Sequence, residues 1–355
     1  MNTRPRFETL DALRGVAALS VVFWHWQWLY YPPGSTAQIE NREIQPFFWL
    51  FAPLYRHGAW GVDMFFSISE FVFFYLYADA IAERSTDFLT FANYRIARLY
   101  PLHLATLLLV TVLQSAYYLH FGAFFVYQLN DVKHFVMQLL FASNWSWNSP
   151  FTFNGPVWSL SIEVLLYGIF FVVAFARMTS SIVLALLAVA GALIVRVHPL
   201  LGHGLLSFFT GGLCLYIVRE WRANHRLDVG ALVAFIAVVT LSTVIQRIRH
   251  DLSLMERLVE VVAFPAIIVA LALNEERLLP ITSRLKWLGD ISYSSYLLHF
   301  PLALALVTLA AYANFAVNPS SGALLLAYFV VLIAVSTASY RYFESPLRRL
   351  LRLRR

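Results

Sequence analysis

Ten stretches of this chain are apolar over close to the ~20 residues that a helix needs to cross a bilayer. They fall at about 11–31, 58–80, 99–120, 157–176, 180–197, 203–219, 228–246, 257–274, 291–313 and 322–340. The pattern predicts an all-α, polytopic membrane helix bundle of about ten transmembrane helices. Only 13% of the residues are charged, about half the share usual in a soluble domain, so a soluble fold is excluded. The first run carries Arg14, is long enough to span, and lacks a small-residue cleavage site, so it reads as a retained helix rather than a signal peptide.

The formal net charge is +6. Its distribution argues against nucleic acid as a partner and for membrane orientation. With the N-terminus placed inside, nineteen of the 26 Lys and Arg residues fall on the inner side. Lys and Arg enrichment marks the cytoplasmic face, so both termini are expected to be cytoplasmic, in a multi-pass protein of the inner (plasma) membrane. The chain reads as one membrane domain over 1–355, with a core at about 8–345. The basic tail 346–355 would lie against anionic lipid. The single Cys214 excludes an internal disulfide. No internal repeat or inverted symmetry is evident, and a homo-oligomer is left open.

Ionisable residues inside apolar runs are functional candidates by default. Arg14 and His25 are eleven residues apart in LDALRGVAALSVVFWH. At ~100° per residue they share a helix face, and at ~1.5 Å per residue they lie roughly 16 Å apart. Arg14 reads as a charge anchor near the inner edge, and His25 as a proton-handling group in the outer half. The competing reading of His25 is a core histidine bonded to a backbone carbonyl. Asp63 and Glu163 fall at similar depth near the outer edge, and either would serve to orient His25 or to pair with an arginine. Glu70, near the middle of its segment, is the most anomalous residue, since an unpaired carboxylate there costs several kcal/mol.

On the inner side, Asn93-Tyr-Arg-Ile-Ala-Arg-Leu-Tyr-Pro101 puts Arg95 and Arg98 on one helix face. Arginines so arranged suit phosphates, held by bidentate contacts; topology anchoring is the alternative. Segment nine, GDISYSSYLLHFPLAL, begins with a polar face of Ser292, Ser295 and His299, with Tyr293 adjacent. Together with Trp158 these residues are expected to line a cavity or to join helices. The outer loop 121–156 carries an amphipathic stretch at 131–141 and then SNWSWNSPFTFNGP, whose aromatic and amide groups suit sugar rings. No metal site and no resident cofactor is expected.

These blocks, in this order, resemble the acyltransferase-3 family of integral membrane acyltransferases over nearly the whole chain. FETLDALRGVAALSVVFWH is like the family's Arg-X10-His opening, VDMFFSISEF its VDxFFxxSGF block, and YRIARLYP its RxxR motif. VWSLSIEVLLY, ISYSSYLLHFPL and YFESPLRR are similar to its remaining signatures. The resemblance implies a stand-alone ten-helix O-acyltransferase. It would move an acyl group, commonly acetyl, from cytoplasmic acyl-CoA to a hydroxyl of a carbohydrate or glycan at the outer side. His25 would then be the catalytic base, assisted by Asp63 or Glu163, and Arg14, Arg95 and Arg98 would bind acyl-CoA, a co-substrate. The rival reading is a transporter or flippase for a glycan or anionic substrate. One departure stands out: the family pattern has Gly where this chain has Glu70, which adds volume and a titratable group.

Overall fold

The computed structural model describes residues 6–36, 39, 41–223 and 256–352, and these are helical with no strand among them. Among the described residues, six helices are long and apolar enough to cross a membrane, or seven if the bent pair Glu256–Leu273 and Glu275–Thr282 (91°) forms one span. The predicted segment at 228–246 lies outside the described residues. The predicted segment at 180–197 forms a helix of 14 residues, Ser181–Ile194, too short to span alone at ~1.5 Å per residue. The chain sorts into two compact units of interleaved sequence, 1–16, 62–87 and 165–289 in the first and 17–61, 88–164 and 290–355 in the second.

Helix α1 (Glu8–His25) begins in the first unit and ends in the second. The second unit continues with a 3-10 turn, Trp26–Tyr30, and α2 (Phe48–His57). The sequence pattern had left 32–57 as loop; Phe48–His57 is helical and runs on toward α3 (Gly61–Phe73). The 34-residue α4 (Phe88–Phe121) carries the whole RxxR block in its first turns, about three turns more than the apolar run alone indicates. The amphipathic stretch of the outer loop forms α5 (Val132–Leu139), capped by the Asp131 carboxylate, which accepts from the His134 amide at 2.9 Å. Buried Trp26, Trp28, Tyr55, Phe125, Phe153, Phe300 and Tyr328 belong to this unit's core. The polar-aromatic run ends on α6 (Trp158–Phe175), whose first turns also lie in this unit.

In the first unit, α7 (Ser181–Ile194) and α8 (Pro199–Ala223) pack closely. Helix α8 also meets α9 (Phe264–Leu273). Gly211 brings α8 against α3, where a Cβ would strike the Ser67 carbonyl. The Ser67 hydroxyl bridges the same contact, reaching the Asp63 carbonyl at 3.1 Å and the Ser207 carbonyl at 3.0 Å. The adjacent Gly212 faces Glu70, where a Cβ would stand 3.2 Å from Glu70 Cγ, tighter than an ordinary contact.

Glu70 is fully buried, and neither carboxyl oxygen meets a hydrogen-bond partner among the described residues. An unsatisfied buried polar group costs about 1–3 kcal/mol. Glu70→Met, which keeps the volume and removes the carboxyl, is expected to raise the thermal unfolding temperature in detergent. Glu70→Gln keeps an unsatisfied amide there and is expected to leave it near the wild-type value. A Met variant that unfolds earlier than wild type would mean that the carboxyl holds the fold together.

The last long helices are α10 (Lys286–Tyr312) and α11 (Gly322–Ser339), the latter capped by the Ser321 hydroxyl. Pro301 lies inside α10. Proline has no N–H, so the Leu297 carbonyl four residues back loses its helical donor. The Asn154 side chain supplies one, donating from Nδ2 at 3.1 Å. The polar-aromatic loop thus fixes α10 at Leu297, four residues before the proline and two before His299.

Candidate active site

Helix α1 stops at His25 and tightens into the 3-10 turn. In a 3-10 helix, residues i and i+3 eclipse. That geometry stacks Trp28 on His25, with ring centroids 3.9 Å apart and planes within 20°. Trp28 is buried among Tyr127 and Phe300, so the stack holds the His25 ring in one plane. The residue as a whole is half-buried.

The partner of His25 is a second histidine. His299 Nε2 lies 3.0 Å from His25 Nδ1, and the two rings are nearly parallel at 17°. His299 is 1% exposed, and its Nδ1 lies 2.5 Å from the Tyr296 carbonyl oxygen. A carbonyl only accepts, so His299 carries its proton on Nδ1, and in a neutral ring Nε2 is then an acceptor. His25 must donate from Nδ1, and its Nε2 is left with the lone pair. The chain Tyr296–His299–His25 therefore fixes a tautomer, and the basic nitrogen is His25 Nε2. The Tyr328 hydroxyl donates to the His299 carbonyl at 2.6 Å, and the Tyr296 and Ser159 hydroxyls meet at 2.8 Å.

Sequence reasoning placed His299 on a cavity-lining face; the structure joins it to His25. The carboxylate expected on His25 is replaced by this imidazole. Glu163 is half-buried in the first turns of α6. Asp63 sits in the first unit, its ligand-type oxygen grouped with His203 and Glu260. Ser295 donates to the Ser292 carbonyl within α10 at 3.1 Å, and Tyr293 donates to the Leu99 carbonyl at 2.5 Å, so Tyr293 joins α10 to α4. Trp158 packs beside Phe151, with centroids 6.4 Å apart. Arg42, which the sequence did not single out, stacks on Trp24 at 4.1 Å and reaches Gln27 at 3.2 Å. Burial draws its guanidinium below the usual arginine range, with Tyr31 acting in the opposite sense.

At the other end of the second unit, Arg95 and Arg98 occupy successive turns of one face of α4, as the spacing requires. Arg95 is buried near the Phe91 ring. Arg98 faces the Glu344 carboxylate and the Arg348 guanidinium. Glu344 is itself held by the Ser294 and Ser339 hydroxyls. Asn93 Nδ2 donates to the Leu351 carbonyl at 3.1 Å, and Arg352 lies over Tyr94 at 5.4 Å. The tail, read from sequence as a lipid anchor, thus brings Arg348 and Arg352 onto the RxxR helix. In the first unit, Arg14 is ion-paired with Asp11 at 3.2 Å, and Asp11 also holds Arg6.

The described residues thus combine membrane-length apolar helices with a bonded pair of histidines and two arginines on one face of a helix. The family model described as an acyltransferase domain matches residues 7–341. The chain belongs to the acyltransferase-3 family and is a membrane protein of the acyltransferase class. No curated protein and no solved structure matches it.

Proposed function

We propose that the protein is an O-acyltransferase of the inner (plasma) membrane. It takes an acyl group, acetyl first, from cytoplasmic acyl-CoA and places it on a carbohydrate hydroxyl at the outer side. The reading keeps about ten crossings, with the termini inside, from the charge asymmetry of the loops. The observation that carries it is the bonded pair His299–His25, which leaves His25 Nε2 as a free base in a ring locked by Trp28. In the proposed reaction, Nε2 takes the acceptor hydroxyl proton, and the alkoxide oxygen attacks the thioester carbonyl. The carbon–sulfur bond breaks, and the CoA thiolate leaves with the proton returned by the imidazolium. Stacking and the Nδ1 bond hold the ring in place throughout.

Arg95 and Arg98 are assigned to the donor phosphates, and Arg348 extends that cluster beside Arg98. Arg14 is assigned to the donor by the Arg-X10-His motif alone. Arg98→Ala is expected to weaken acyl-CoA binding at least about tenfold, with Lys rescuing in part because it cannot bind bidentately. Arg95→Ala is expected to act in the same direction. Equilibrium binding of acetyl-CoA to detergent-purified protein checks this; unchanged affinity in both variants returns them to topology anchoring. The reading as a whole is tested by mass spectrometry of cell-surface glycans with and without the protein. An added acyl mass that depends on the protein supports it, and identical spectra contradict it. A transporter would move substrate without cleaving a thioester, and no observation favours that alternative.

A further inference from the structure

The first unit holds a second cluster that the acyl-transfer reading leaves unused. Asp63 on α3, His203 on α8 and Glu260, on the helix that leads into α9, each direct one donor atom to a common point. These atoms all lie within 4.8 Å of one another. His203 Nδ1 is 2.9 Å from Glu260 Oε2, and the Ser207 hydroxyl holds Glu260 Oε1 at 2.5 Å. Glu260 is 3% exposed.

The sequence builds this point with care for geometry. His203, Ser207 and Gly211 recur every fourth residue along one face of α8, and Asp63 and Ser67 do so on α3. The Gly211–Ser67 contact lets the two backbones approach, which carries Asp63 to His203 two turns away along α8. Glu260 lies in a π-helical stretch, Val259–Ala263. Such wide turns re-aim side chains and recur at functional sites.

A carboxylate buried as deeply as Glu260 needs a compensating partner, and the Asp63 and His203 side chains are the potential ligands grouped with it from two other helices.

We propose that Asp63, His203 and Glu260 form a binding site for a divalent transition-metal ion, zinc the best match. One imidazole and two carboxylates suit zinc, whose nitrogen and oxygen ligands sit about 2.0–2.2 Å from the metal and so about 3.3 Å from each other. The present atoms lie within 4.8 Å of one another, and the His203–Glu260 pair is at 2.9 Å. Ser207 then acts as the outer hydrogen-bond partner that orients the Glu260 carboxylate. The ion ties three helices together in the first unit. This assignment is independent of the acyl-transfer reading.

The test uses tag-free, full-length protein purified in detergent without chelator. Inductively coupled plasma mass spectrometry is expected to find about one equivalent of metal per chain. His203→Gln and Asp63→Asn are each expected to lower affinity for added zinc at least about tenfold. Stripping wild type with chelator is expected to lower its unfolding temperature, and zinc to restore it. A variant that fails to fold is replaced by the second one and by the stripping experiment on wild type. Wild type that carries no metal above the buffer blank and gains no stability from excess zinc overturns the proposal; the cluster is then an internal ion pair. Equal zinc binding by wild type and both variants overturns it as well, since the ion would sit elsewhere.

Discussion

His25→Ala is expected to lower acyl transfer by about 10²–10⁴-fold, the usual loss when a general base is removed. Protein level and acyl-CoA binding are expected to stay near wild type, because a general base acts on the transfer step rather than on donor docking. The effect should fall on kcat, since the base acts in the transition state. Transfer assays on matched amounts of purified protein check this. A variant retaining more than about a tenth of the activity rules the base role out.

His299 carries the second large effect, though as a positioning residue. His299→Phe removes the imidazole that accepts from His25 Nδ1–H and leaves the Val21 carbonyl as the remaining partner, which weakens the hold on the tautomer. Where a partner fixes a catalytic histidine, its loss costs up to about 10⁴-fold. A loss of at least about 10²-fold is expected here, in kcat rather than in KM for acyl-CoA. His299→Gln keeps an acceptor oxygen and should recover part of the rate. A purely structural role would lower folded yield and would not distinguish Gln from Phe in kcat. Nitrogen NMR of the His25 ring provides the direct readout, with the proton on Nδ1 in wild type and a mixture of tautomers in the Phe variant. Wild-type turnover in His299→Phe would contradict the assignment.

What the sequence revealed follows from which signals are local. Helix length and apolarity are local, so the helical bundle was legible, as were the amphipathic α5 and the shared face of Arg95 and Arg98. The paired-histidine centre was not, because its members are 274 positions apart in sequence and only tertiary packing brings α10 to the end of α1. The polar face of Ser292, Ser295 and His299 was visible, but nothing local said which residue it meets. Glu163 and Asp63 were chosen for depth, and depth does not fix azimuth around a bundle. The switch to 3-10 at Trp26 leaves no pattern in hydropathy, yet it sets the Trp28 stack. Asn154 was read as part of a sugar-binding run; its carboxamide instead replaces the donor that Pro301 lacks. His203 and Glu260 did carry a signal, each an ionisable residue inside an apolar stretch, as Asp63 was.

The count of crossings shows the same limit. Apolar length predicted ten segments, and six of the described helices satisfy length and composition together, or seven with the bent pair. Helix α1 carries Glu8, Asp11 and Arg14 in its first turns, which places it outside that set. Those charges are paired within the first unit: Glu8 with Lys286 at 2.5 Å, and Asp11 with Arg6 and Arg14. Intramembrane and interfacial charge is tolerated when paired in this way, so hydropathy alone misjudges such a helix.

The central claim is that His25 draws a proton from an acceptor hydroxyl while a thioester is cleaved. The most direct measurement is release of free CoA thiol by purified protein in proteoliposomes supplied with acetyl-CoA and a glycan extract. The account predicts thiol release that requires the glycan, matches the acetyl mass gained by it mole for mole, and disappears in His25→Ala. Glycan movement across the bilayer without thiol release, or equal release by wild type and His25→Ala, would contradict it.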